Sequence, residues 1–150
     1  MFSKTVEYAL RAMVHLLECE RAGQGVQTVD QIALRTQVPL SYLSKVLQNL
    51  TRAGLITSTR GSGGGFRLAA SASNISIYEV VETVDPIERI NSCPLKLAAH
   101  SGKLCPMHKK MDDALALVEE QLRTTTLAEI LGDASPEKPL GVFGGAPEGG

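Results

Sequence analysis

Four glycines in six residues, Arg60-Gly61-Ser62-Gly63-Gly64-Gly65, restrict what the chain around them can build. Two short β segments, near Leu55–Thr59 and Phe66–Ala69, flank the run, so the glycines read as the tip of a hairpin. The run is not a nucleotide-binding P-loop. It lacks the Gly-Lys-Ser/Thr ending, and no buried parallel strand precedes it.

Helical periodicity surrounds the hairpin. Val6, Leu10, Met13, Val14 and Leu17 predict an amphipathic helix over 3–22, ended by Gly23. Thr28 with Gln31 makes a capping box that opens a short helix to about Thr36, broken by Gln37-Val38-Pro39. A third helix is predicted from Leu40 to Ala53, with Leu43, Val46, Leu47 and Leu50 on its buried stripe. Gly54 follows where a left-handed cap is wanted. Ser76 and Glu79 start another helix to Val84, closed by Pro86, and a long helix runs from about Pro106 to Arg123. Met111, Leu115, Val118 and Leu122 on that helix follow the spacing of a seam meant for a second helix. Thr126 and Glu129 cap one last turn ending at Gly132.

The order helix, short helix, turn, helix, hairpin is that of a winged helix-turn-helix, a mainly α fold with a small β-hairpin wing. Its third helix enters the DNA major groove, and its wing lies along the backbone. On the third helix Ser41, Tyr42, Lys45 and Gln48 can donate hydrogen bonds, and Arg52 can meet a phosphate. At the wing, Arg60 supplies charge, while Gly63 and Gly64 let the backbone approach a phosphate closely. The net charge of −1 hides this asymmetry. No acid occurs between Asp30 and Glu79, a stretch that holds Arg35, Lys45, Arg52, Arg60 and Arg67. Charge alone fits a solvated face equally well; charge on this particular helix and hairpin points to double-stranded DNA. The chain offers no nucleophile elbow and no His–Asp spacing with a pocket motif, so it does not read as an enzyme. No apolar run reaches the roughly 18 residues of a membrane span, and the start has no signal-peptide pattern, so a cytoplasmic protein is expected.

Leu40-Ser41-Tyr42-Leu43, Ala53-Gly54-Leu55-Ile56, and Arg60-Gly61 followed by Gly63-Gly64-Gly65-Phe66 occur in an order that resembles the Rrf-type family of bacterial winged-helix transcription regulators, the IscR/NsrR-like proteins. The resemblance spans roughly residues 1–131 and includes Thr126-Leu127-Ala128-Glu129-Ile130-Leu131. It implies a homodimer on a pseudo-palindromic operator, with a repressor as the expected sense. The long helices would cross at the dimer interface. On this basis residues 1–85 are the DNA-binding domain and 86–105 a cysteine-containing sensor loop. Residues 106–131 are the dimerisation helix with a last short helix, and 132–150 a disordered tail.

The family's cluster-binding members carry three cysteines in the loop, some with a histidine three residues beyond the last. Here Cys93 and Cys105 match the outer two and His108 the histidine, but Ala99 stands at the middle position, beside His100. Other members take an acidic ligand from the partner's first helix, where Glu7 falls. Two thiolates with nitrogen or oxygen ligands suit a 2Fe–2S cluster, because imidazole replaces thiolate in such centres. The resemblance therefore implies Cys93 and Cys105 with two ligands drawn from His108, His100 and Glu7, sensing redox state, nitric oxide or iron–sulfur status. A thiol or disulfide switch between Cys93 and Cys105, a cluster-free regulator, and a zinc site remain open. Cys19 reads as a packing residue and His15 as a partnered core or interface histidine.

Overall fold

The Ser3 hydroxyl accepts the Val6 N–H at 3.4 Å and opens helix α1, Lys4–Arg21, in a computed structural model that describes residues 2–132. Ala9 and Ala12, both fully buried, let neighbouring elements approach this helix closely. Helix α2, Val29–Thr36, starts at the predicted capping box, with Gln31 N–H on Thr28 Oγ1 at 3.2 Å and Thr28 N–H on Gln31 Oε1 at 2.8 Å. Gln37 ends it in the left-handed region, φ 56°, and Pro39 then offers its carbonyl to Tyr42 and Leu43 at the start of helix α3, Leu40–Arg52. Leu43, Val46, Leu47 and Leu50 are buried, as the periodicity predicts.

Strands β1, Ile56–Thr59, and β2, Gly65–Leu68, pair antiparallel with Ile56 opposite Leu68 and Thr59 opposite Gly65. A contact with no local signal fixes the hairpin's root. Gln27 and Phe66 exchange backbone hydrogen bonds of 2.9 and 2.8 Å, joining the wing to the turn before α2. Only glycine fits beside that bridge: a Cβ on Gly65, whose φ is 154°, would sit 2.5 Å from the Gln27 carbonyl oxygen.

Helix α4, Ile77–Val84, packs against α1 and α3. Past the loop, helix α5, Pro106–Thr124, returns along α4, and α6, Leu127–Leu131, docks on α1. Ile77 N–H donates to Thr125 O at 2.9 Å and Leu127 N–H to Ile75 O at 2.8 Å, so the end of α5 is tied to the start of α4. The winged-helix fold class read from the sequence is therefore the observed one. The tail expected over 132–150 lies outside the described residues except for Gly132, which caps α6.

One member of the expected seam on α5 turns inward. Leu122 packs against the core of its own chain, and Leu115 and Val118 border a small cavity with Phe2, Pro86 and Ile87. Met111, another member of the expected seam, is 51 % exposed, and Met107, one turn before it, is 60 % exposed. Spacing locates apolar stripes on a helix but does not say which body covers each one.

Candidate nucleic-acid interface and cysteine loop

Ser41, Lys45, Gln48 and Arg52 recur at steps of four, three and four, so they share one side of α3, and all are exposed. Burial of Leu43, Val46, Leu47 and Leu50 orients that side outward. Tyr42, 61 % exposed, is braced from α1: its ring centroid lies 6.0 Å from that of Tyr8, and the Arg11 guanidinium sits 6.0 Å over Tyr8. The sequence pattern singles out neither Tyr8 nor Arg11, because nothing local in it shows that α1 crosses the start of α3. At the wing tip, Arg60 and Gly63 are exposed, and Gly64 N–H donates to Gly61 O at 3.0 Å to close the turn.

The loop cysteines each meet a histidine. Cys93, buried, has Sγ 3.5 Å from His100 Nδ1, and Cys105, half-buried at the N-cap of α5, has Sγ 3.2 Å from His108 Nδ1. The Leu97 backbone N–H, then His100, holds the Cys93 thiol below its ordinary range. His108 is buried on the first turn of α5, Ala99 lies in the 3₁₀ turn Ala98–His100, and Glu7 is exposed on the first turn of α1. Thus the structure sorts the candidate ligands into two Cys–His pairs. Among the described residues, no group of three or more His, Cys, Asp or Glu is placed to hold a metal ion. In kind, two thiols and two imidazoles fit a 2Fe–2S donor set; in one chain they do not converge.

An ion-pair network fastens this loop to the long helix, and the sequence reading missed it. Arg89 grips Asp112 with two bonds of 2.7 Å and Glu119 with one of 3.0 Å, while Ile90 N–H donates to Asp112 at 2.9 Å. The Arg89 guanidinium, more than the Ile90 amide, pulls the Asp112 carboxyl down to about 2. The available signal was weak: Asp112 and Glu119 stand seven apart, on one side of a helix.

A third cysteine–histidine pair lies in α1. His15 and Cys19 are both buried, with Cys19 Sγ 3.5 Å from His15 Nε2. Burial lowers the His15 pKa and raises that of Cys19.

Residues 2–133 match the Rrf2 family, described as iron-dependent transcriptional regulators. The chain is similar to the HTH-type transcriptional regulator IscR of Vibrio vulnificus strain YJ016, at 36 % identity over 127 residues, 84 % of this chain and 74 % of the relative. Among solved structures, T. potens IscR superposes with a TM-score of 0.71 at 24 % identity, covering 90 % of this chain and 88 % of that one. The oxidized form of Staphylococcus aureus CymR superposes with a TM-score of 0.68 at 27 % identity, covering 90 % and 98 %.

Proposed function

This chain belongs to the Rrf2 family of transcriptional regulators, and on that premise we propose that it is a cytoplasmic homodimer that represses transcription from a pseudo-palindromic operator under control of its cysteine loop. Its relatives are transcriptional regulators and not enzymes. The observation that carries the DNA reading is the exposed row Ser41, Lys45, Gln48 and Arg52 on a helix whose opposite face is fully buried. Lys45→Ala or Arg52→Ala is expected to weaken operator binding. If the lost contact is to a phosphate, the slope of log affinity against log salt should flatten by about one unit. Wild-type binding by both variants at every salt concentration would remove α3 from the interface.

Met107 and Met111, one turn apart and both more than half exposed, support a dimer formed along α5. Met111→Glu should yield a folded monomer by sedimentation, because its exposed side chain leaves the chain's own core undisturbed. Leu122→Glu should instead lower stability, because Leu122 packs inward. A wild-type monomer at micromolar concentration would refute the dimer.

For the loop, the donor types support a 2Fe–2S cluster held by Cys93, Cys105 and His108 with the partner subunit's Glu7, or with His100 in its place. Such a cluster supplies a redox-active centre sensitive to oxidants and nitric oxide. Arg89 and Asp112 then transmit the loop's state to α5, since the loop cannot shift far without straining that network. A thiol switch is the second reading, favoured by the lowered Cys93 thiol and by the likeness to a regulator solved in an oxidized form.

A further inference from the structure

We propose that His15 and Cys19 form a binding site for a soft, two-coordinate monovalent cation of the Cu(I) class, separate from the loop cysteines. The two residues stand four apart on α1, so their side chains share one face of a rigid helix, and no loop has to order to bring them together. Cys19 Sγ is 3.5 Å from His15 Nε2 and 3.8 Å from Nδ1. Both residues are buried, at 5 and 4 % exposure, yet they are not sealed in the core. They line the floor of a cleft of about 780 Å³ between α1 and α2, walled by Glu18, Gln24, Gln31 and Arg35, so an ion can reach them from solvent.

Donor number and softness select the ion. Among the described residues no third His, Cys, Asp or Glu joins the pair, which disfavours zinc and iron with their four or more ligands. A thiolate with an imidazole suits a soft cation that accepts two ligands. The Gln27 side chain lines the same cleft as the His15 ring. A ring nitrogen donating to Gln27 would leave its counterpart as a lone-pair donor, and such an outer hydrogen bond orients a metal-binding imidazole. On binding, the Cys19 S–H proton passes to solvent and a sulfur–metal bond replaces it, with no change in oxidation state.

The site lies under the wing. Gln27, which lines the cleft beside His15, is the residue whose backbone pairs with Phe66 at the wing's root. Cys19 also borders a smaller cavity whose wall includes Phe66 and Arg67. Turning the His15 ring onto a metal therefore shifts the seat of the hairpin. This consequence rests on the DNA reading above; the ion site does not.

The test uses the full chain as the Cys93→Ser/Cys105→Ser double variant, titrated anaerobically with Cu(I) against a chromogenic Cu(I) chelator, without DNA. One equivalent should bind, X-ray absorption should show one sulfur and one nitrogen neighbour, and Cys19→Ser in that background should abolish binding. Gln27→Ala should weaken it by about tenfold. No stoichiometric Cu(I) on the folded double variant, undiminished binding after Cys19→Ser, or a sulfur-only coordination shell would each overturn the site. A separate operator titration with and without Cu(I) tests the wing: a several-fold change in affinity supports the coupling, and unchanged affinity with Cu(I) bound refutes it alone.

Discussion

Leu127→Ala is expected to lower the stability of the folded chain by roughly 3 kcal/mol, the middle of the range for a large-to-small change at a fully buried site. Leu127 is 0 % exposed and belongs to the main core, although the helix it opens has only five residues. Its side chain seats α6 against α1, while its N–H and the Thr125 carbonyl hold the end of α5 to Ile75 and Ile77. The cavity left by truncation cannot refill easily, because the Thr126–Glu129 capping box and the Leu127–Ile75 backbone bond hold α6 in place. A urea titration at fixed protein concentration should show a lower midpoint with an unchanged slope. An unchanged midpoint would mean that α6 is an appendage. The loss matters for function, because this clasp sets the angle at which α5 leaves the DNA-binding body.

That clasp was only half legible in the sequence. Thr126 and Glu129 announce the helix start, as Thr28 with Gln31 and Ser76 with Glu79 announce theirs, because a capping box is chemistry between residues three apart. The wing was legible for a similar reason: its glycines answer to turn geometry within the hairpin. The Ser76–Thr126 bridge, the Gln27–Phe66 bridge and the grip of Arg89 on Asp112 join residues tens of positions apart. No periodicity records such contacts. They exist because the helices have already packed and brought two backbone edges or two charges together.

The candidate DNA-facing surface divides along the same line. Ser41, Lys45, Gln48 and Arg52 could be assigned outward from the burial of Leu43, Val46, Leu47 and Leu50, since one helix period fixes both faces. The support that Tyr8 gives Tyr42 depends on where α1 crosses α3, and it stayed hidden. Cys19 and His15 read as packing residues because they sit among apolar neighbours at helical spacing. They are indeed buried, but the cleft above them is shaped by α2 and by the turn carrying Gln27, which the spacing of α1 does not describe.

Cys93→Ser and Cys105→Ser should each abolish visible colour, iron and acid-labile sulfide in anaerobically purified protein, and Cys19→Ser should leave all three intact. The argument begins with the donors. Cys93 and Cys105 are twelve positions apart in a loop whose first residues are pinned to α5 by Arg89 and whose last residue is the N-cap of that helix. Both ends of the loop are thus fixed, and the stretch between them, with Ala99 and the 3₁₀ turn, is the part free to rearrange. In the structure each thiol rests against its own histidine, at 3.5 and 3.2 Å, an arrangement that keeps both sulfurs hydrogen-bonded without a metal. Bringing the two sulfurs to one centre requires the Cys93–His100 pair to separate or to move as a unit. His100→Ala and His108→Ala therefore carry different information. Loss of colour on replacing His108 but not His100 assigns His108 as ligand and leaves the last position to the partner subunit's Glu7, which Glu7→Gln then checks. Loss on replacing either histidine keeps the whole set within one chain. Protein that stays colourless and free of iron after strictly anaerobic purification and reconstitution would remove the cluster. The thiol switch would then predict that mild oxidation changes operator affinity in the wild type and not in Cys93→Ser, because the Cys93 thiol, held below its ordinary range, is well supplied with thiolate.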